Sequence, residues 1–167
     1  MKATHKSVLP VFAGVAMLIS TATIVAAQNL KDQIVGTWTV VTAQVTKDGK
    51  MTEPQGPHPL GQVMFDSSGH FSINIMTPDT PKFASNNRLT GTAEENKTVV
   101  QRSINYFGTY AINPDGSVTF HIIASSFPNW TGTDQKRMVE ISGNQMKYTN
   151  PEASISGTAV LTLTRAM

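Results

Sequence analysis

The chain has 167 residues, with 13 Lys+Arg, 11 Asp+Glu and no Cys. The absence of cysteine excludes disulfides, thiolate metal ribbons and thiol chemistry together, and the near balance of charge leaves no basic stripe for nucleic acid. Stability must then come from a core, which this length allows, since a domain of ~150 residues buries about 70 % of its unfolded surface.

The first residues read MKATHKSVLPVFAGVAMLISTATIVAAQ. Lys2 and Lys6 form a short positive region, and Val8 to Ile19 is an apolar run shorter than the ~20 residues of a membrane-spanning helix. Val25-Ala26-Ala27 then places small residues before Gln28. This order predicts a signal peptide over 1–27, cleaved before Gln28, and a periplasmic or secreted protein with no stable membrane anchor. No Cys follows the apolar run, which excludes a lipoprotein anchor. Without Lys2 and Lys6, residues 28–167 carry 11 basic and 11 acidic side chains, and they are expected to form one domain.

Strands and turns then alternate. Ile34–Thr46 is rich in Val and Thr and runs into the hairpin signal KDGK at 47–50. EPQGPHPLG (53–61) is a Pro/Gly link that no central strand could contain. Gln62–Asp66 and His70–Met76 are strands about the turn Ser67-Ser68-Gly69, and Phe71, Ile73 and Ile75 alternate with Ser72 and Asn74. Residues 78–103 break the rhythm. They contain one short helix, Thr92–Ser103, for which Thr92 and Glu95 supply a capping box. An excursion of that length is a lid, a binding loop or a disordered segment. Strands resume at Tyr106–Ile112, Ser117–Ala124, Asp134–Ser142, Gln145–Thr149 and Thr158–Arg165. The expectation is an all-β fold. About eight short-connected strands close into an antiparallel up-and-down barrel with one short helix or lid segment, and such a barrel is either filled or holds one small ligand.

Between two of these strands stands SSFPNWTGTDQKR (125–137), a bend carrying a Trp that no turn requires. Strand parity groups Gln135 with Arg137, Tyr106 with Gly108 and Tyr110, and Thr119 with His121 and Ile123. We expect His121, Gln135, Arg137 and at least one of Tyr106 and Tyr110 to project inward, as a few polar groups in an apolar pocket. Arg137 would face a carboxylate, enol or carbonyl. Trp130 would cap the interior, with Phe83 and Phe127 as its neighbours. Structural alternatives stand beside each assignment. Arg137 can pair with Glu140 or Asp134 outside the barrel, His121 can be a hydrogen-bonded wall residue, the tyrosines can be cross-strand packing, and Trp130 can be a fixed plug. His58, His70 and His121 have no close metal-ligand spacing, so no metal is expected, and no cofactor motif is present. Asn96-Lys97-Thr98 and Asn129-Trp130-Thr131 match the glycosylation pattern, which matters only in a cell that glycosylates exported proteins.

Gly36-Thr37-Trp38 resembles the G-x-W signature of the lipocalin and calycin superfamily. Arg165 resembles the basic residue that packs over that Trp at the closed end of such barrels. PLGQVMFD with its following Gly, YFGTY, and PNWTGTDQKR resemble, in order, three runs of the bacterial and fungal lipocalin-like domain family. The resemblance covers most of 28–167. It implies a lipocalin-like barrel with Trp38 and Arg165 as a closing pair. Where that family often carries two adjacent His with an acid two residues after the second, this chain has Phe120, His121 and Ile123, which turns the expectation from turnover toward binding. The preferred reading is a monomeric carrier, not an enzyme, for a small hydrophobic molecule with a polar end. The ligand would be held by Tyr106, Tyr110, His121, Trp130, Gln135 and Arg137. An isomerase or cyclase using the same cavity, and a protein-binding barrel with a filled interior, are the alternatives.

Overall fold

A computed structural model describes residues 29–167; the expected signal peptide lies outside the described residues. A helical turn over 29–34 (α1) leads into strand β1 (Gly36–Lys47). There follow β2 (Lys50–Thr52), β3 (Leu60–Phe65), β4 (His70–Met76), helix α2 (Ala93–Arg102), β5 (Ser103–Ile112), β6 (Ser117–Ser125), β7 (Asp134–Ser142), β8 (Gln145–Asn150) and β9 (Thr158–Arg165). From β3 to β9 each strand pairs antiparallel with the next, β1 pairs with β3, and β1 also pairs with β9. Eight strands therefore close a ring, and β2 hangs on the end of β1 as the return arm of the KDGK hairpin.

Several boundaries differ from the sequence expectation, among them the start of β3 at Leu60, inside the Pro/Gly link. Ile34 ends α1 and does not begin β1: it is fully buried under the barrel and its carbonyl accepts the Trp38 indole N–H at 2.9 Å. β5 begins at Ser103, three residues early, because it pairs with the end of β4 through Met76–Ser103.

Two bulges set which side chains face in. In β1 the register against β9 shifts between Val40 and Thr42, so Trp38 and Val40 point inward before the bulge and Ala43 and Val45 after it. In the β5–β6 pair the shift falls between Phe107 and Gly108, leaving one extra residue on β6. A Cβ at Gly108 would collide with the His121 carbonyl oxygen, so this bulge requires glycine there.

The closed end is built on one pair. Trp38 and Arg165 are opposite residues of β1 and β9, and the guanidinium lies 4.2 Å from the centre of the indole. It also donates to the carbonyls of Val35 (3.0 Å) and Gln33 (2.7 Å), tying α1 across the floor. Gly36 is the third member. It has φ +131°, and a Cβ there would lie 2.8 Å from Arg165 Nη1. The spacing of glycine two residues before tryptophan thus has a steric cause: the cation needs the space that a side chain would fill.

Cation–π contacts contribute up to ~2 kcal/mol when desolvated, and hydrogen bonds from a charged donor about 1.5–3 kcal/mol. Arg165→Ala is therefore expected to destabilise the fold by about 2–4 kcal/mol in urea unfolding, with Arg165→Lys recovering less than half, because an ammonium cannot bridge two carbonyls while lying flat on the ring. An unchanged midpoint in Arg165→Ala would show that the floor is held by α1 packing alone.

Candidate functional site

The barrel is filled in its lower half and hollow in its upper half. Phe120 sits at the centre with ring contacts to Phe71 (4.7 Å), Tyr148 (5.6 Å) and Phe65 (6.0 Å). Val63, Val118, Met146 and Leu163, all buried, complete that layer above Trp38. Above it opens a cavity of about 350 Å³. Its walls include Ala43, Val45, Ile75, Ile104 and Leu161, with Tyr106, Trp130 and Tyr148 along one side.

The polar groups gather around those three side chains. Arg137, 2 % exposed, lies behind the aromatic side chains. Its Nε–H donates to Tyr148 Oη at 3.1 Å, Nη1 to the Lys136 carbonyl at 3.2 Å, and Nη2 to Gln135 Oε1. The guanidinium also sits 5.7 Å from the Trp130 ring centre. The Tyr106 and Tyr148 hydroxyls are 3.2 Å apart. Burial pushes the Tyr106 hydroxyl well above the ordinary tyrosine range; the neighbouring Tyr148 adds to the rise and the Arg137 cation opposes it.

The short 3₁₀ turn Pro128–Trp130 explains the odd tryptophan. The chain folds over the β6–β7 end, with the Thr133 hydroxyl donating to the Trp130 carbonyl and Gly132 N–H to Ile122 O, both at 2.7 Å. Trp130 is thereby tucked edge-on against Tyr106 (5.2 Å) and Phe127 (5.7 Å).

Of the sequence-selected residues, the structure brings Tyr106, Trp130, Gln135 and Arg137 together. Arg137 makes no external pair among the described residues: Asp134 bonds His121 and Glu140 meets Lys147. Three expectations are corrected. His121 projects outward, half exposed, and its Nδ1 lies 2.7 Å from Asp134 Oδ1 on the outer wall. The reason is that β6 turns its more apolar face, Val118, Phe120 and Ile122, to the core. Tyr110 points inward but lies at the closed end, packing on Phe65 (5.1 Å) and donating to the Asp66 carbonyl at 2.8 Å, away from the cavity. Phe83 packs over Gly91 rather than Trp130. Two site residues escaped the sequence reading, Tyr148 and Asn150. Their signal was the alternation of Met146, Tyr148 and Asn150, all buried on one face of β8.

With this geometry in view, the likeness to known proteins can be stated. Residues 35–166 match the family described as a lipocalin-like domain. The chain belongs to that family. A relative within reach is the 4'-hydroxy-3'-methoxypropiophenone carrier protein ppsC of Aspergillus oryzae, 32% identical over 80 residues that span 44% of this chain and 72% of that protein. Among solved structures, a redesigned β-barrel aligns with 82% of this chain and 95% of its own length, at TM-score 0.44 and 16% identity.

The mouth of this lipocalin-like barrel is partly roofed by α2 and the preceding loop. Val100 and Gln101 of α2 reach the cavity rim, as do Pro54, Gln55 and Ile155 from other connections. The helix starts as its sequence directs. The Thr92 side chain accepts from Glu95 N–H at 3.2 Å, and the Glu95 carboxylate accepts from Thr92 N–H at 2.7 Å. The same carboxylate accepts the Ala84 N–H at 2.8 Å, stapling the loop to the helix. These bonds, led by that from Ala84, hold the Glu95 carboxyl below its ordinary value of 4.5.

A depressed carboxyl stabilises the fold above its unfolded value and loses that contribution as pH falls through the folded one. The Ala84 and Thr92 amides should accordingly be protected from hydrogen exchange at pH 7. Protection should fall as the pH drops below about 4.5, and in Glu95→Gln it should already be reduced at pH 7. Equal protection in both proteins at pH 7 would show that the staple does not order the loop.

Proposed function

We propose that this lipocalin-like chain carries one small, mostly apolar molecule in the upper half of the barrel, with the molecule's polar end against the Tyr106 and Tyr148 hydroxyls. The observation that carries this reading is the half-filled interior. A cavity of about 350 Å³ with apolar walls ends on a small, buried polar cluster, and its size lies within the ~300–1,000 Å³ of small-molecule sites. The ligand for which the relative is named, a propiophenone bearing hydroxyl and methoxy groups, supports a one-ring aryl ketone or a molecule of similar outline.

The other readings have less behind them. Proton-transfer catalysis needs a base within reach of the substrate, and the imidazole assigned to that task, His121, stands on the outer wall. A barrel acting only as a protein-binding surface would have no use for a hollow upper half.

The carrier is further proposed to act as a monomer and to be exported; the export reading is supported by the N-terminal sequence alone: Lys2 and Lys6, the apolar run and Val25-Ala26-Ala27. Mass analysis of protein from the periplasmic or culture fraction should then give a chain beginning at Gln28. A full-length N-terminus in that fraction, or retention in the cytoplasm, overturns export without touching the cavity.

For carriage itself, a panel of alkyl and aryl ketones headed by 4'-hydroxy-3'-methoxyacetophenone should include compounds that quench Trp130 fluorescence and appear bound one-to-one in native mass spectra. Ala43→Phe, which fills the cavity from β1, is expected to weaken binding at least about tenfold, or ~1.4 kcal/mol, while unfolding stays cooperative. No retention of any panel member would overturn the carrier reading.

A further inference from the structure

The polar side of the cavity holds more hydrogen-bond donors than acceptors. Arg137 brings five N–H groups and no acceptor. They meet Tyr148 Oη, the Lys136 carbonyl and Gln135 Oε1. The Tyr106 and Tyr148 hydroxyls share one hydrogen bond. Two hydroxyl protons therefore serve one bond, and whichever way it points, one O–H has no acceptor among the described residues. Asn150, 3 % exposed and on the cavity wall, adds to the excess. Its Oδ1 accepts the Glu152 N–H at 2.9 Å, while its Nδ2 donates to none of the described residues.

The charge is unbalanced in the same sense. Arg137 is buried, and among the described residues no carboxylate pairs with it. Burying an ion without a counter-charge is strongly unfavourable. The groups facing the guanidinium are Tyr148 from β8, Tyr106 from β5, Val118 from β6, Gln135 on its own strand and Trp130 from the turn. The tyrosines are the ionisable ones. Lys136 turns outward to Asp115.

We infer that the polar end of the ligand is a single-oxygen anion, an acidic phenol or enol bound in its ionised form. Its oxygen accepts the remaining tyrosine O–H, and its charge balances Arg137 through Tyr148. Asn150, two residues along the same face of β8, supplies an N–H for an adjacent oxygen. A carboxylate fits less well. It would call for the guanidinium fork, and that fork is behind Tyr148 and Trp130 rather than on the cavity surface. A ring-delocalised anion instead matches a site where charge is presented through one hydroxyl, with the Trp130 and Phe127 rings beside it and aliphatic walls beyond. The proton lost by the phenol goes to solvent.

This inference rests on the carrier reading, and the test separates the two. The probes are 4-nitrophenol, whose neutral and ionised forms absorb at different wavelengths, its methyl ether 4-nitroanisole, which cannot ionise, and 4-nitrobenzoate. On binding, the apparent pKa of 4-nitrophenol should fall by at least about one unit, a tenfold preference for the anion. 4-Nitroanisole and 4-nitrobenzoate should bind more weakly than the phenolate.

The fall should be lost in Arg137→Met. If that variant fails to fold, Tyr148→Phe breaks the coupling with the ring in place and should at least halve the shift. An unchanged or raised probe pKa, tighter binding of 4-nitroanisole or 4-nitrobenzoate, or an intact shift in folded Arg137→Met each overturns the anion inference and leaves carriage standing. If the probes and every aryl ketone of the panel fail to bind, carriage fails and the inference with it.

Discussion

The β1–β9 ladder is what makes an interior possible. An open sheet of these strands would present two edges of unpaired N–H and C=O groups and one apolar face with nothing to cover it. Pairing from Trp38–Arg165 to Thr46–Thr158 removes both edges at once. The ladder begins at the residue pair that also caps the floor, so closure and plugging are one event: the guanidinium that ends β9 lies on the indole that begins β1 and holds α1 beneath it. The price of this arrangement is the bulge at Val40–Thr42, which re-aims β1 so that small Ala43 faces the upper half. A cavity exists there partly because that position has no bulk.

The interior then divides by side-chain size. Rings and branched side chains from all round the barrel converge on Phe120 and leave no room below it. Above it the inward positions carry smaller residues, and the large ones, Trp130 and the two tyrosines, stand against one wall with Arg137 behind them. Placing a cation in such a spot would ordinarily be avoided, since an apolar residue of similar volume would fill it at lower cost in desolvation. The Trp130 face, the Lys136 carbonyl and Gln135 spread the charge without cancelling it. That residual positive potential, carried to the cavity by Tyr148, is the chemical character of the site.

The architecture was legible in the sequence because its signals are local and repeated: period-two alternation, Gly and Pro at turns, and the Thr92–Glu95 capping box all describe their own neighbourhoods. The facing of Gln135 and Arg137 was legible too, since Val139 and Ile141 on the same parity mark the inner face of β7. His121 faces outward although its residue type suggests a site, because Val118, Phe120 and Ile122 form the more apolar row of β6 and take the core face. Tyr110 obeys its parity and still misses the site, since parity says nothing about height along the barrel axis. Height depends on strand tilt and on the two bulges, which are long-range facts of pairing. Tyr148 and Asn150 lay in a strand that looked like plain wall, and only the meeting of β5, β7 and β8 gives them a role.

The same division between local and long-range order governs how a molecule could reach the cavity. The barrel wall is a continuous hydrogen-bonded ring, and opening it would break ladders on both sides of a strand. The roof is different. α2 buries none of its side chains fully, and it is held by its capping box, the Glu95 staple, the Arg102 bond to the Asp79 carbonyl at 3.1 Å and the Thr77–Arg102 backbone bond at 2.9 Å. Near the point where α2 rejoins the wall, Thr77 Oγ1 and Asn105 Oδ1 are buried without partners among the described residues. Each such group costs about 1–3 kcal/mol that hydration would return. A roof fastened by surface bonds has less to lose by lifting than any strand has by leaving the ring. Exchange of ligand is therefore expected through the gap between α2 and the connections bearing Pro54 and Ile155, with the rigid wall keeping the Arg137 cluster in place while the mouth moves.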